Sequence, residues 1–292
     1  MPEIVIRDLI IGRLKDTDYD PTKLSASKSI ANLFKSYISA LDENISIVDN
    51  DMFEVIIDIN DYNQIIYTET FYGLMRISRQ SDAIAALLKD GSAPKAWLIV
   101  TVYYHAFFCA HLISRLLGRY SCYFSRDEMV SIKSLADNPS KKDLFHGNYV
   151  GYYVSCGDGG IKIRFKSEGD KPHHTAWKNL HDKFSTASTI NTHDGKRFSR
   201  IQLFKKIIDD SIRTWPLPSE IRNRWNYTDI VLYSKKGDDT ASEFAYMLAH
   251  SNDLQWASRK VTPDQQSIAT SVAFISSTLN RSLEASKARI LR

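Results

Sequence analysis

The chain has 292 residues, of which 43 % are hydrophobic and 25 % charged. That length and balance suit one large globular domain or two modest ones, and exclude a chain too polar to bury a core. The net charge of +4 is mild but uneven: residues 159–206 carry eleven Lys or Arg against four Asp or Glu. With His173, His174 and His181 beside it, this local basic excess suits a polyanion.

Cys109, Cys122 and Cys156 form no C-x-x-C pair and no zinc spacing. Free thiols fit a reducing compartment, and MPEIVIRDLI lacks the pattern of a secretory signal, so a cytoplasmic protein is expected.

Taken in chain order, residues 3–11 are rich in Ile and Val and read as a short strand. Ile30, Leu33, Phe34, Tyr37, Ile38 and Leu41 fall at helical spacing. The expected organisation is an N-terminal segment, 1–60, with that one amphipathic helix, then a helical-bundle domain over 61–292. Within the first part, FEVIIDI at 53–59 is β-branched and reads as a strand or loop.

A long helical pattern covers 62–88 and ends at Lys89-Asp90-Gly91-Ser92. Gly91 suits a left-handed cap, and Ser92 with Pro94 suits the start of the next helix. That next helix, WLIVTVYYHAFFCAHLISRLL at 97–117, is long enough to cross a bilayer of about 30 Å. His105, His111 and Arg115 are costly in hydrocarbon, so the segment reads as the central helix of a bundle, with no membrane partner.

Ser125 caps an expected short helix over 125–136. NYVGYYVSC, GDGG and IKIRFKSE then make the clearest hairpin signal, near 148–167. Ile161, Ile163 and Phe165 alternate with Lys162, Arg164 and Lys166, giving one apolar and one cationic face. These three cations are candidate nucleic-acid contacts.

Helices are expected over 174–189 and 198–213, then a break at Trp215-Pro216-Leu217-Pro218. Ser219 reads as the cap of a helix that carries SEIRNRWNYTDI. Further helices are expected over 240–259 and from Pro263 onward. The fold class is therefore mainly α, a bundle with an inserted β-hairpin.

Familiar catalytic motifs are missing. Gly157-Asp158-Gly159-Gly160 lacks the lysine of a phosphate loop, and there is no G-x-S-x-G elbow or H-E-x-x-H helix. His173 and His174 are adjacent and so point different ways on a helix, and neither a metal site nor a cofactor is expected.

At 100° per residue, Arg222, Asn223, Asn226 and Tyr227 make one polar ridge, with Arg224 and Trp225 farther round. The Arg fork holds carboxylate or phosphate, Asn offers donor and acceptor, and Tyr adds a hydroxyl and a stacking face.

The tyrosine-bearing helix AWLIVTVYYHAFFCAHLISRLLG, followed by a later helix opening IRNRWNYTD, resembles the HEPN superfamily. Tyr103, Tyr104, Ala106, Ala110 and Gly118 carry the first half of the likeness, and Arg222 with Asn223 the second. The resemblance covers residues 60–235 and implies a helical bundle of prokaryotic defence or toxin systems that works as a homodimer.

Nuclease members pair such an Arg with a His a few residues on and cleave RNA without metal. In this chain the next histidine after Arg222 is His250, and Tyr227 stands where the His would be. A tyrosine pKa of about 10, against about 6.5 for His, makes it a poor general base near neutrality. Non-nuclease members have Arg, then a carboxamide or acid, then Tyr, and NYTD fits that version.

The expectation is thus an RNA-binding, HEPN-like component of a bacterial defence or toxin-like system, with catalysis undecided. Arg222, Asn223 and Tyr227 are its candidate catalytic residues, and Lys162, Arg164, Lys166, Arg222 and Arg224 its nucleic-acid contacts. The alternatives are a metal-independent endoribonuclease and a protein-interaction subunit.

Overall fold

In a computed structural model of the chain, the first fourteen-residue apolar stretch is a helix, α1 (Pro2–Lys15), not a strand. Ile6, Ile10 and Leu14 lie four apart and are all buried, so a period near 3.6 outweighs the β preference of Ile and Val. The structure describes residues 1–26, 33–40, 44–90, 95–137, 143–157, 160–169, 172–187, 195–209, 217–228 and 265–291, with isolated positions between 235 and 248. The Gly91–Ser92 connection, the Trp215–Pro216 break and most of the helix expected over 240–259 lie outside them.

The fold is mainly α, with one five-stranded antiparallel sheet among the described residues. After α1 come α2 (Leu33–Ile38), β1 (Ile45–Asp49), β2 (Met52–Ile57), the long α3 (Ile59–Lys89) and α4 (Lys95–Leu116). Then follow β3 (Arg119–Phe124), α5 (Arg126–Leu135), β4 (Gly147–Gly157) and β5 (Gly160–Ser167). α6 (Pro172–Ala187), α7 (Gly195–Ile208), α8 (Pro218–Asn223) with a π turn over Arg224–Thr228, and α9 (Gln265–Ile290) complete the described elements.

The expected hairpin is present as β4 and β5, but it is no solitary insert. The strand order is β1-β2-β5-β4-β3, and every neighbouring pair is antiparallel. The hairpin therefore forms the inside of the sheet. Its apolar face, Ile161, Ile163 and Phe165, is buried with Phe53, Val55 and Ile57 of β2 and with Tyr120 and Phe124 of β3. The Phe53 and Phe165 rings stack at 5.0 Å, and Phe34 of α2 stacks on Tyr120 at 4.4 Å.

Contacts divide the chain into two interleaved units. One comprises residues 1–9, 74–113 and 176–285; the other comprises 10–73, 114–175 and 286–292. The first holds most of α4, α6, α7, α8 and α9. Trp177, Leu180 and Phe184 of α6 and Phe204 and Ile207 of α7 are buried there, as are Val272, Ile275, Leu279 and Leu283 on one stripe of α9. The Trp97–Leu116 stretch of α4 is apolar and long enough to span a bilayer, and 67 % of it is buried inside the protein.

Local capping explains several boundaries. Ser125 accepts the Glu128 N–H while Glu128 accepts the Ser125 N–H at 2.7 Å, a reciprocal cap for α5. Gly118 has a φ of +77°, which lets the chain leave α4 and turn at once into β3. α8 starts two residues earlier than a Ser219 cap would place it. Pro218 takes the first helical position, and the Leu217 N–H donates to the Glu220 carboxylate at 3.1 Å, so Ser219 lies inside the helix rather than capping it.

Candidate functional site

Arg222 leaves α8 half-buried and lies against α4. Its guanidinium carbon is 5.7 Å from the ring centroid of Tyr103 and 5.7 Å from that of Tyr104. These adjacent tyrosines are set edge to face at 5.4 Å, so one cation addresses both. Tyr103 is fully buried, and its ring lies 6.4 Å from that of Trp177 on α6. Burial pushes the Tyr103 phenol above its ordinary pKa, opposed by Trp177 and Arg222. The Arg222 Nε is buried without a hydrogen-bond acceptor.

Around Arg222 the expected ridge is only partly formed. Asn223 and Arg224 are exposed, Asn226 is half-buried and Trp225 is 2 % exposed. Arg224–Thr228 follows π-helical, i→i+5 bonding, so the α-helical phase that groups 222 with 226 and 223 with 227 does not run through this segment. The Tyr227 side chain lies outside the described residues.

A neighbouring polar centre on α4 belongs to the core. His105 is 4 % exposed; its Nδ1 is 2.8 Å from the Ser276 hydroxyl and its Nε2 is 3.1 Å from that of Ser81. Desolvation lowers its pKa to about 4, which keeps the ring neutral.

The other candidate cations belong to the second unit. Lys162, Arg164 and Lys166 project from the outer face of β5, with Arg164 and Lys166 exposed. Two of them are engaged within the sheet: Glu54 of β2 meets Arg164 at 2.6 Å and Lys162 at 3.3 Å. Sequence reading missed this carboxylate. It is one of two acidic residues in FEVIIDI, with Asp58, and only the non-local register, Glu54 opposite Arg164, reveals its partners. Among the described residues no group of three or more His, Cys, Asp or Glu is placed to hold a metal ion.

Compared with models of known families, with curated proteins and with solved structures, the chain matches none.

Proposed function

We propose that this protein is an RNA-binding, HEPN-like helical component of a bacterial defence or toxin-like system. The observation that carries the reading is the seating of Arg222 against Tyr103 and Tyr104. The two sequence features behind the resemblance are more than a hundred residues apart, and they meet within one unit of the fold. Exposed Asn223 and Arg224 beside a half-buried Arg222 supply the donors that hold a phosphate.

Binding is favoured over cutting. In sequence no histidine follows Arg222 until His250, which lies outside the described residues, and the buried neutral His105 is held by two serines rather than free to take a proton from a 2′-hydroxyl.

The test is fluorescence anisotropy of a labelled RNA across a salt series, alongside incubation of RNA with protein in EDTA. The affinity is expected to fall steeply between about 50 and 200 mM salt, and Arg222→Ala to weaken binding about tenfold. RNA is expected to stay intact in EDTA. An affinity indifferent to salt and to Arg222→Ala removes the proposal, whereas EDTA-resistant cleavage abolished by that substitution replaces it with the nuclease reading.

A further inference from the structure

Residues paired across an antiparallel sheet project to the same side. The register therefore sets Arg119, Tyr152, Arg164 and Glu54 in one row across β3, β4, β5 and β2. The Arg119 guanidinium lies 4.1 Å over the Tyr152 ring. In the next row Lys166 stands opposite Val150, and beyond it Tyr123 stands opposite Asn148. Tyr123 is 55 % exposed, which leaves its ring accessible to a ligand. Four residues of strand separate Arg119 from Tyr123, about 13 Å, with Lys166 in the row between.

Cations and aromatic groups thus alternate on one face, exposed at Tyr123, Arg164 and Lys166, half-buried at Arg119 and Tyr152, with Val150 buried among them. Such a surface can take phosphates and bases together, provided the bases are unstacked and their faces accessible. A duplex hides those faces. An acidic peptide would engage the cations but leave Tyr123 without a role.

Glu54 adds a second feature. Its side chain is 14 % exposed and lies between Lys162 and Arg164. Burial pushes its carboxyl up, but the hydrogen bonds from Arg164 and Lys162 more than offset this and hold it below the usual carboxylate range. The carboxylate is therefore ionised near neutrality, in the position a phosphate would take.

We infer that the outer sheet face is a platform for single-stranded nucleic acid: Tyr123 and the Arg119–Tyr152 pair stack bases, Lys166 and Arg164 take phosphates, and Glu54 competes with phosphate for Arg164 and Lys162. The inference rests on the RNA-binding reading and adds the strandedness of the ligand, the stacking residues and an internal competitor.

The experiment uses the full chain and a labelled single-stranded oligouridine of ~12 nucleotides, with an RNA duplex of equal length as the comparison. The single strand binds about tenfold more tightly than the duplex. Tyr123→Ala weakens single-strand binding about tenfold without changing the salt dependence, and Tyr123→Phe restores it. Lys166→Ala reduces the slope of log affinity against log salt by about 0.7. Glu54→Gln tightens binding several-fold, most at low salt.

Equal binding of duplex and single strand overturns the platform. So does a silent Tyr123→Ala, or a folded Glu54→Gln protein that binds more weakly. Any of these leaves the RNA-binding reading standing; failure to bind either probe overturns both. Displacement of the oligouridine by polyglutamate, with Tyr123→Ala silent, would point to an acidic protein partner instead.

Discussion

Two guanidinium groups in this protein sit in contrasting surroundings. Arg115 is nearly enclosed and forms an ion pair with Glu69, the two side chains being 14 % and 12 % exposed. Glu69 also accepts the Phe34 N–H at 3.1 Å, which ties α2 to α3. Removing the carboxylate leaves a buried charge and a main-chain donor unmatched. Glu69→Ala is expected to cost about 3–5 kcal/mol, read from urea midpoints, with Glu69→Gln less damaging because its amide oxygen still accepts. Arg222 is different: it rests on two rings and has a buried Nε without an acceptor. Losing its cation–π contacts costs only about 1 kcal/mol, so Arg222→Ala should fold and be usable in binding assays. Arg222→Lys keeps the charge but loses the planar fork, and anisotropy should show RNA binding nearer to that of Arg222→Ala than to that of the parent.

At the level of elements, what sequence revealed was periodicity. The alternation of Ile161, Ile163 and Phe165 with three cations located β5, and the long apolar stripes located α3, α4 and α9. Two strands escaped. β1 is five residues long with an exposed end, and in β3, RYSCYF, the buried members are a tyrosine, a cysteine and a phenylalanine that give little aliphatic signal. β1 pairs with β2 across a tight two-residue connection, a local signal too short to stand out, whereas β3 meets its partner β4 only after α5, so that register could not be read locally. The candidate site divided the same way. Arg222 and the paired tyrosines were visible as residues, whereas Trp177, Glu54 and the π turn emerge only from tertiary packing. The hairpin turn allows a sharp test. Gly160 has a φ of +111°, and a Cβ there would lie 2.3 Å from the Ile57 carbonyl oxygen, on the strand that pairs with β5. At Gly157, across the same turn, a Cβ would meet nothing within 4 Å. Gly160→Ala is therefore expected to lower stability by at least about 2 kcal/mol, and Gly157→Ala by less than about 0.5, measured by chemical denaturation.

For the whole molecule, buried titratable groups set a pH window of stability, and His105 governs its acid side. The ring lies between Ser81 of α3 and Ser276 of α9, with the Cys109 sulfur 3.9 Å from its Nδ1. No carboxylate is among these partners to stabilise an imidazolium, so burial dominates and brings the pKa from 6.5 to about 4. The unfolded chain takes up a proton below about pH 6.5 while the folded protein refuses it until about 4. Between those values the unfolded state binds more protons, and stability falls as pH falls, by about 3 kcal/mol in all. The depressed carboxylates Glu54 and Glu128 act lower, losing their contribution only as pH drops below the ordinary range of a glutamate. On the alkaline side burial raises the Cys109 thiol and brings that of Cys122 to about 12, so stability declines again once unfolded thiols ionise, above about pH 8.5. Thermal or urea unfolding across pH should therefore show a plateau near neutrality with an acid limb beginning close to 6.5. His105→Gln should flatten that limb above about pH 4.5 whatever its effect on absolute stability, because the titrating group is gone. An unchanged acid limb in the variant would assign it to other groups, and an NMR titration of the His105 ring through the ordinary histidine range would then show it protonating.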